Sequence, residues 1–273
     1  DILYQVDGEA VTGKDLDLVV KENIRGEEGT YVDITVLRGE NAEETPLHVE
    51  RRSIEVPTVE YQMLENQVGY IYVTQFDEVT AKQFEDAIDD LEDQGMEKLV
   101  IDLRNNPGGV LDTAVEMLAY VLPEDKLDGM LVYTADKNGE GDRYFCKDGK
   151  IQRESDDGSR DSRYPKEDDH ELDVPLAVLV NGNSASASEV FTGAVMDYDA
   201  GIVVGTTTFG KGIVQNLIPL GDGTAIKLTT AHYYTPNGFD LHGKGLEPDV
   251  VVEMDEELQK KAVVELSEDN QLQ

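Results

Sequence analysis

The sequence is poor in cysteine, in histidine and in positive charge, with one Cys, four His, and 23 Lys and Arg against 58 Asp and Glu. The single Cys146 excludes an internal disulfide and a multi-cysteine metal site, and the scattered histidines show no metal-ligand spacing. The formal net charge of −35 disfavours binding to nucleic acid or to anionic membrane surfaces. We interpret the acid excess as a solubilising surface.

Long apolar runs are also missing. No stretch approaches the roughly 20 consecutive apolar residues of a membrane-spanning helix, and no signal peptide is visible. The chain opens on Asp-Ile-Leu-Tyr-Gln-Val-Asp-Gly, which is typical of the inside of a folded unit. We therefore expect further chain to precede residue 1, and the first residues do not indicate a localisation.

The apolar pattern predicts two units in the 273 residues. In the first, residues 2–6 and 31–37 alternate like strands and flank a helix with apolar residues at 16, 19, 20 and 24. The pattern resets near Pro57. We therefore predict a small domain over 1–57 and a larger one over 58–273.

In the larger unit, apolar runs at 68–73, 99–103 and 176–180 are each followed by a helical pattern. Repeated strand and helix units predict an α/β domain with a largely parallel sheet. The first of these helices begins at Thr80, where Gln83 three residues later indicates a capping box.

Two polar segments interrupt this pattern. Residues 136–173 are rich in Asp, Gly, Ser, Lys and Arg, include an acidic run at 167–171, and predict a polar surface insertion. The last 20 residues are typical of a charged terminal helix.

Three serines stand at 184, 186 and 188, where the run 176–180 passes through a glycine turn into a helix. A helix N-terminus offers unpaired amides and the positive end of a dipole, which suit a nucleophile whose intermediate is an oxyanion. Serine is also favoured there simply as a cap. The local pattern does not choose among Ser184, Ser186 and Ser188.

Residues 205–212, Gly-Thr-Thr-Thr-Phe-Gly-Lys-Gly, nearly match a phosphate-binding loop. An ATPase is disfavoured, because Gly212 replaces the magnesium-binding hydroxyl residue and residues 213–219 predict a strand instead of the required helix. A desolvated lysine can instead serve as a neutral base, and in an extended strand Gln215 would lie on the same face as Lys211. The plain alternative is a surface lysine in a glycine turn.

Residues 102–109, Asp-Leu-Arg-Asn-Asn-Pro-Gly-Gly, place consecutive glycine amides at the end of a buried strand. Such amides can complete an oxyanion hole with the amide of Ala187. An ordinary glycine turn between a strand and a helix explains them equally well.

Together these segments resemble the C-terminal processing peptidases, also called tail-specific proteases. The turn at 102–109, Ser-Ala-Ser-Ala-Ser-Glu at 184–189 and Thr-Phe-Gly-Lys-Gly-Ile-Val-Gln at 208–215 follow in the family's order. Tyr-Tyr-Thr-Pro-Asn-Gly at 233–238 and Gly-Lys-Gly-Leu-Glu-Pro-Asp-Val at 243–250 resemble its late signature. Thr206 and His232 depart from the pattern, because the family commonly has Glu and Arg there.

The resemblance implies a Ser–Lys dyad with Ser186 as nucleophile, Lys211 as general base and Gln215 as the residue that orients the base. It assigns the oxyanion hole to backbone amides, those of Ala187 and of either Gly108 or Gly109.

The implied fold is a Clp-protease/crotonase-like α/β serine peptidase core, preceded over residues 1–57 by a partial PDZ domain whose N-terminal half is missing. No metal and no cofactor is required. The implied substrates are proteins or peptides with accessible, somewhat apolar C-termini. The implied location is extracytoplasmic, in the periplasm or at the cell surface, and a membrane anchor of the full-length form and an oligomer are compatible with it.

Three alternatives differ from this reading. One is an inactive peptide-binding scaffold, and another is a crotonase-like acyl-CoA enzyme, because glycine amides on such a sheet also stabilise enolates. A nucleophile and base pair of Cys146 and His232 is the third, but Cys146 lies in a strand-like run and is expected to pack there.

Overall fold

The computed structural model describes residues 1–39, 41–53, 55–122, 129–147, 150–165, 172–221, 223–261 and 264–273. The chain divides into two compact units, Asp1–Val56 and Pro57–Gln273, each with an apolar core of its own. None of the helices in these residues is long and apolar enough to cross a membrane.

The first unit contains strands β1 (Ile2–Val6), β2 (Glu9–Ala10), β3 (Tyr31–Arg38) and β4 (Glu43–Glu50). They form an antiparallel sheet in the order β2-β1-β3-β4. The predicted helix begins as α1 (Leu16–Val19), which the Asp15 carboxylate caps by accepting the Leu18 N–H at 3.0 Å, and continues as a π-helical segment, Val20–Ile24. Valines from the sheet, from the helix and from position 11 make the core of this unit.

The second unit contains twelve strands within the described residues, listed here with their bounds. They are β5 (Val59–Leu64), β6 (Val68–Val73), β7 (Lys98–Asp102), β8 (Met130–Ala135), β9 (Asp142–Lys147), β10 (Lys150–Ser155), β11 (Arg160–Pro165), β12 (Leu176–Val180), β13 (Ile202–Gly205), β14 (Ile213–Pro219), β15 (Ala225–Tyr234) and β16 (Val250–Val251). Its α-helices are α2 (Thr80–Asp93), α3 (Leu111–Val121), α4 (Ala187–Asp197) and α5 (Glu256–Gln259), with a 3₁₀ turn at Glu65–Gln67.

One sheet of this unit has the order β16-β13-β12-β7-β6-β5, in which every neighbouring pair is parallel except β5 with β6. The predicted parallel sheet is therefore confirmed. Apolar side chains of β6, β7, β12 and β13 enter one core with those of α2, α3 and α4, which explains why these strands are nearly continuous apolar runs.

Helix α2 packs an apolar stripe, Phe84, Ala87, Ile88 and Leu91, into this core with at most 1% exposure. The predicted capping box at its start is wrong. Thr80 Oγ1 accepts the Asp77 N–H at 2.8 Å, and Gln83 Oε1 accepts the Thr58 N–H at 2.9 Å. Because these hydrogen bonds occupy both side chains, neither caps the backbone at the start of α2.

The other sheet is antiparallel, in the order β11-β10-β9-β8-β15-β14. Within the predicted polar insertion, residues 142–147, 150–155 and 160–165 form β9, β10 and β11 of this sheet. Tyr144, Cys146 and Ile151 are buried in the core, so this part is not a loop. The acidic run at 167–171 lies outside the described residues.

The predicted terminal helix is also wrong. In the described part of the last 20 residues, the α-helix is the four-residue α5, and residues 264–273 return to the end of β7. Arg104 Nη1 lies 2.7 Å from Asp269 Oδ2 and donates to Gln271 Oε1 at 2.8 Å, while Asp102 binds the other side of the guanidinium. Burial alone would lower the pKa of Arg104, but Asp102 and then Asp269 raise it above its usual value.

Candidate active site

Two turns meet at the carboxyl edge of the parallel sheet. Strands β7 and β12 are parallel neighbours, so the turn after each leaves the sheet at the same edge. Gly108, in the first turn, lies against the second: a Cβ added to it would be 2.5 Å from Ala185 O and 2.8 Å from Ser186 Cβ. This approach and a φ of +92° both require glycine.

The three serines of the second turn differ in what their hydroxyls touch. Ser184 Oγ donates to Leu103 O at 2.7 Å, and Ser188 Oγ donates to Asn106 O at 3.0 Å. Both residues are fully buried, whereas Ser186 keeps 9% exposure. The flanking hydroxyls thus brace the glycine turn against the start of α4, and Ser186 is the serine of the three that a substrate can reach.

Ser186 has an unusual backbone conformation immediately before α4, with φ +56° and ψ −114°. Residues with a side chain seldom adopt it, and such conformations persist where surrounding contacts over-determine the backbone. Here the Glu189 carboxylate accepts the Ser186 N–H at 2.9 Å, and Ser186 O accepts the Val190 N–H at 2.9 Å. The first turn of α4 therefore holds the conformation.

Of the three amides predicted for an oxyanion hole, one is engaged within the protein. The Gly108 N–H donates to Asn106 Oδ1 at 2.9 Å, and Asn106 is itself anchored by donating to Val73 O at 2.8 Å. Among the residues that the structure describes, the N–H groups of Gly109 and Ala187 donate to no protein acceptor. These two amides are therefore the ones available to a ligand.

Lys211 lies in the loop between β13 and β14. The element after this loop is a strand, so the arrangement of a phosphate-binding loop is absent, as predicted. The loop is tied to the serine turn: Phe209 N donates to Ser184 O at 3.0 Å, and Lys211 N donates to Glu189 Oε2 at 2.8 Å. The lysine is partly buried, and within the described residues no hydrogen bond joins its Nζ to Ser186 Oγ.

Gln215 is exposed in β14, where its amide nitrogen lies 3.3 Å from Thr229 Oγ1 and donates to it. Lys211 precedes the strand, and the pairing of β14 with β15 shifts register between Val214 and Gln215. The even spacing therefore does not by itself place Gln215 beside Lys211, and the role of Gln215 stays a prediction.

Glu189 is the site residue that the sequence analysis missed. Its side chain is fully buried, and its carboxylate accepts hydrogen bonds from both the serine turn and the Lys211 loop. A signal for it was present, because Ser186-Ala187-Ser188-Glu189 matches the S-x-x-E pattern of a capping box.

The alternative pair Cys146 and His232 gains no support from their surroundings. Cys146 is buried in β9, opposite Ile151. The ring of His232 packs edge-on against His242 with centroids 5.0 Å apart, and its Nδ1 lies 3.6 Å from Asp240 Oδ1.

A cavity of about 1050 Å³ opens beside these turns, lined by Tyr61, Tyr72, Asn105, Asn181 and Thr206 among others. None of the six predicted site residues lines it. In the part of the chain that the structure describes, no group of three or more His, Cys, Asp or Glu side chains is placed to hold a metal ion.

A sequence model of peptidase family S41 matches residues 67–252. The chain belongs to peptidase family S41. It is 39% identical to the "Probable CtpA-like serine protease" of Staphylococcus aureus strain COL over 253 residues, and 39% identical to that of Staphylococcus haemolyticus strain JCSC1435 over 252 residues. The alignments cover 93% and 92% of this chain and 46% of each relative, so the chain spans about half the length of these relatives.

A solved structure of the photosystem II D1 C-terminal processing protease is 30% identical, with a TM-score of 0.57, over 92% of this chain and 62% of that one. The predicted resemblance to the C-terminal processing peptidases is therefore confirmed, as is a mixed α/β fold of the S41 peptidases.

Proposed function

We propose that the protein is a serine endopeptidase that works through a Ser186–Lys211 dyad and an acyl-enzyme. The observation that carries the proposal is the common anchor of the two residues. The N–H of Ser186 and the N–H of Lys211 both donate to Glu189 Oε2, at 2.9 and 2.8 Å. Membership of a serine peptidase family supports the reaction class.

In the proposed reaction, the neutral Nζ of Lys211 takes the proton of Ser186 Oγ as this oxygen attacks the scissile carbonyl carbon. The protonated amine gives that proton to the leaving nitrogen, and the C–N bond breaks to leave an ester on Ser186. Water then attacks the ester with Lys211 again as base, which releases the carboxylic acid and restores the serine.

Substrate binding is the step at which the Lys211 side chain turns toward Ser186, because catalytic hydrogen bonds often tighten only in the complex. In the same step Gln215 orients the amine of Lys211. The amide of Gln215 is exposed and its bond to Thr229 is long, at 3.3 Å, so little opposes its rearrangement.

For the oxyanion we propose the amides of Gly109 and Ala187. The Gly108 N–H is already used by Asn106, which favours Gly109 as the glycine donor. Two preorganised amides stabilise the negative charge that develops on the carbonyl oxygen more than they stabilise the neutral substrate, which is how they accelerate acylation.

The proposed substrates are proteins or peptides with accessible C-termini, outside the cytoplasm. The family resemblance supports this class, and the solved relative is itself called a C-terminal processing protease. The family resemblance also supports the first unit as part of a PDZ domain, the kind of domain that captures substrate C-termini in this family, and it is compatible with a membrane anchor and with an oligomer.

The test is cleavage of an unstructured protein by the wild type, Ser186→Ala and Lys211→Ala, with Lys227→Ala as a control at an exposed lysine. We expect each dyad variant to lower kcat by roughly 10³-fold or more, and Lys227→Ala to cleave like the wild type. Cleavage that survives in both dyad variants would sink the proposal.

The same experiment separates the rivals. A wild type that binds the peptide and never cleaves it would identify a scaffold. Turnover of an acyl-CoA in place of the protein would identify an enzyme of the crotonase type.

A further inference from the structure

A fully buried carboxylate stands at the centre of the site and is not used in the proposed reaction. Glu189, in the first turn of α4, has 0% exposure. Its Oε1 accepts from Thr208 Oγ1 at 2.6 Å and from the Gly210 N–H at 2.7 Å. Its Oε2 accepts from the N–H groups of Ser186 and Lys211.

Four donors fill the acceptor positions that an ionised carboxylate offers. A buried charge is tolerated when hydrogen bonds replace its hydration, and here all four donors are neutral groups of this chain. The hydrogen-bonding capacity of the carboxylate is thus filled without an ion pair. Three of the four donors are backbone amides, those of Ser186, Gly210 and Lys211.

One oxygen atom joins the backbones of the two proposed dyad residues. Since the Ser186 and Lys211 nitrogens lie 2.9 and 2.8 Å from Oε2, they are at most about 5.7 Å apart. The two residues are 25 positions apart in the sequence and belong to different turns. Glu189 bridges the two backbones at this edge of the sheet, next to the direct bond from the Phe209 N–H to Ser184 O.

The carboxylate also holds the strained serine. Because it takes the Ser186 N–H, it secures the positive φ of Ser186 and leaves the neighbouring Ala187 N–H as the amide open to substrate. Thr208 links the carboxylate to the segment that contains Leu246, because Thr208 Oγ1 donates to Glu189 and accepts the Leu246 N–H at 2.8 Å.

We infer that Glu189 is a positioning residue: it fixes the distance and orientation of Ser186 relative to Lys211 and touches no substrate. The inference rests on the proposed dyad. It assigns to the last residue of the Ser-Ala-Ser-Ala-Ser-Glu run a role in kcat and not in substrate binding.

The first variant is Glu189→Gln, which keeps the shape of the side chain but replaces one acceptor oxygen by a donor group. Its control is Thr192→Val in the same helix, because Thr192 is also fully buried and its hydroxyl donates to Ser188 O at 2.8 Å and not to Glu189. We expect Glu189→Gln to lower kcat about 10²-fold, the cost of a small displacement of catalytic groups, with an unchanged KM. Thr192→Val is expected to keep the wild-type kcat.

A second pair covers the case in which Glu189→Gln does not fold. Thr208→Val and Thr192→Val each remove one buried threonine hydroxyl, but only that of Thr208 bonds to Glu189. Thr208→Val is expected to lower kcat about tenfold at constant KM, as loss of a hydrogen bond to a charged group would. Thermal unfolding of each variant reports whether its fold is intact.

Equal kcat values for Thr208→Val and Thr192→Val would overturn the inference, as would a folded Glu189→Gln with the wild-type kcat or with a change in KM alone. These outcomes differ from failure of the dyad itself, which Ser186→Ala and Lys211→Ala report by continuing to cleave.

Discussion

At the scale of single residues, the site depends on two backbone positions with positive φ that face each other. Gly108 has φ +92° and Ser186 has φ +56°, and a Cβ added to the glycine would lie 2.8 Å from Ser186 Cβ. The glycine has no Cβ to clash, so the turn after β7 can reach the start of α4. The serine is strained, and the turn of α4 that carries Glu189 compensates for this strain.

The first prediction concerns Gly108→Ala. The added Cβ would lie 2.5 Å from Ala185 O and 2.8 Å from Ser186 Cβ, so the two turns must move apart. We expect kcat to fall about 10²-fold because Ser186, the proposed nucleophile, is displaced, and the free energy of unfolding to fall by about 2–3 kcal/mol. Cleavage kinetics and urea unfolding measure the two effects.

Gly158→Ala is the matched control. Its φ is +85°, but nothing lies within 4 Å of the added Cβ, so it carries the conformational cost without the clash. We expect it to lower the free energy of unfolding by about 1 kcal/mol and to leave kcat unchanged. Equal effects of the two alanines would show that the approach of Gly108 to Ser186 does not matter.

Two capping-box patterns show what a sequence can predict at this scale. Thr80 with Gln83 fits the pattern, but Thr80 Oγ1 accepts the Asp77 N–H and Gln83 Oε1 accepts the N–H of Thr58, the residue before β5. Ser186 with Glu189 fits it equally well, and there the carboxylate does accept the Ser186 N–H. The local pattern is the same, and contacts from residues remote in sequence decide whether it is used.

At the scale of elements, residues 264–273 act as a clamp on the end of β7. Asp269 and Gln271 bind the buried Arg104, two residues after β7 and at the start of the turn that contains Gly108. Tyr70 completes the group by donating to Asp102 Oδ2 at 2.7 Å. The clamp therefore fixes the base of the glycine turn.

The second prediction compares Asp269→Ala with Glu268→Ala. The Asp269 pair with Arg104 is buried, with side chains 4% and 8% exposed, whereas Glu268 pairs with Lys261 at the surface, with side chains 49% and 43% exposed. Breaking the buried pair is expected to lower the free energy of unfolding by about 3 kcal/mol, and breaking the surface pair by less than about 1 kcal/mol.

Urea unfolding of the two variants measures this difference. A similar small loss in both would mean that the segment is not clamped to Arg104.

The error over residues 142–165 has a physical cause at this scale. Composition alone favours a solvated segment, yet Tyr144 and Cys146 alternate with exposed or half-buried neighbours, as in a strand with one buried face. Asp148-Gly149, a dipeptide that favours hairpins, stands between β9 and β10 in the sequence. The alternation of buried and exposed residues was present in the sequence, but the polar composition was given more weight.

At the scale of the whole molecule, buried tyrosines link stability to alkaline pH. Burial raises the pKa of Tyr70, of Tyr233 and of Tyr144, the last to about 12, from an ordinary value of about 10. A pKa raised on folding adds stability that is complete below the unfolded value and is lost as the pH rises through the folded value.

The third prediction follows: the protein loses stability between about pH 10 and pH 12, and part of its phenolate absorbance appears only as it unfolds. Phenolate absorbance and circular dichroism against pH measure this. Complete ionisation of all 12 tyrosines near pH 10 with the fold intact would contradict it.

Sequence predicted the parallel sheet because each of its strand and helix units is local. The pairing of β15 with β8 was not predicted, because residues 232–234 of β15 pair with residues 133–135 of β8, about a hundred positions away. The site lies between these cases. The sequence predicted the glycine turn, the serine run and the Lys211 loop as separate motifs. The structure shows that the Glu189 carboxylate binds both the serine run and the Lys211 loop.

The proposed roles of Ser186 as nucleophile and of Lys211 as its base are best tested by labelling with a fluorophosphonate, which reacts with activated serines. Mass spectrometry of the peptides then locates the adduct. We predict an adduct on Ser186, none on Ser184 or Ser188, and almost no labelling in Lys211→Ala. An adduct on another serine, or equally fast labelling of Lys211→Ala, would contradict it.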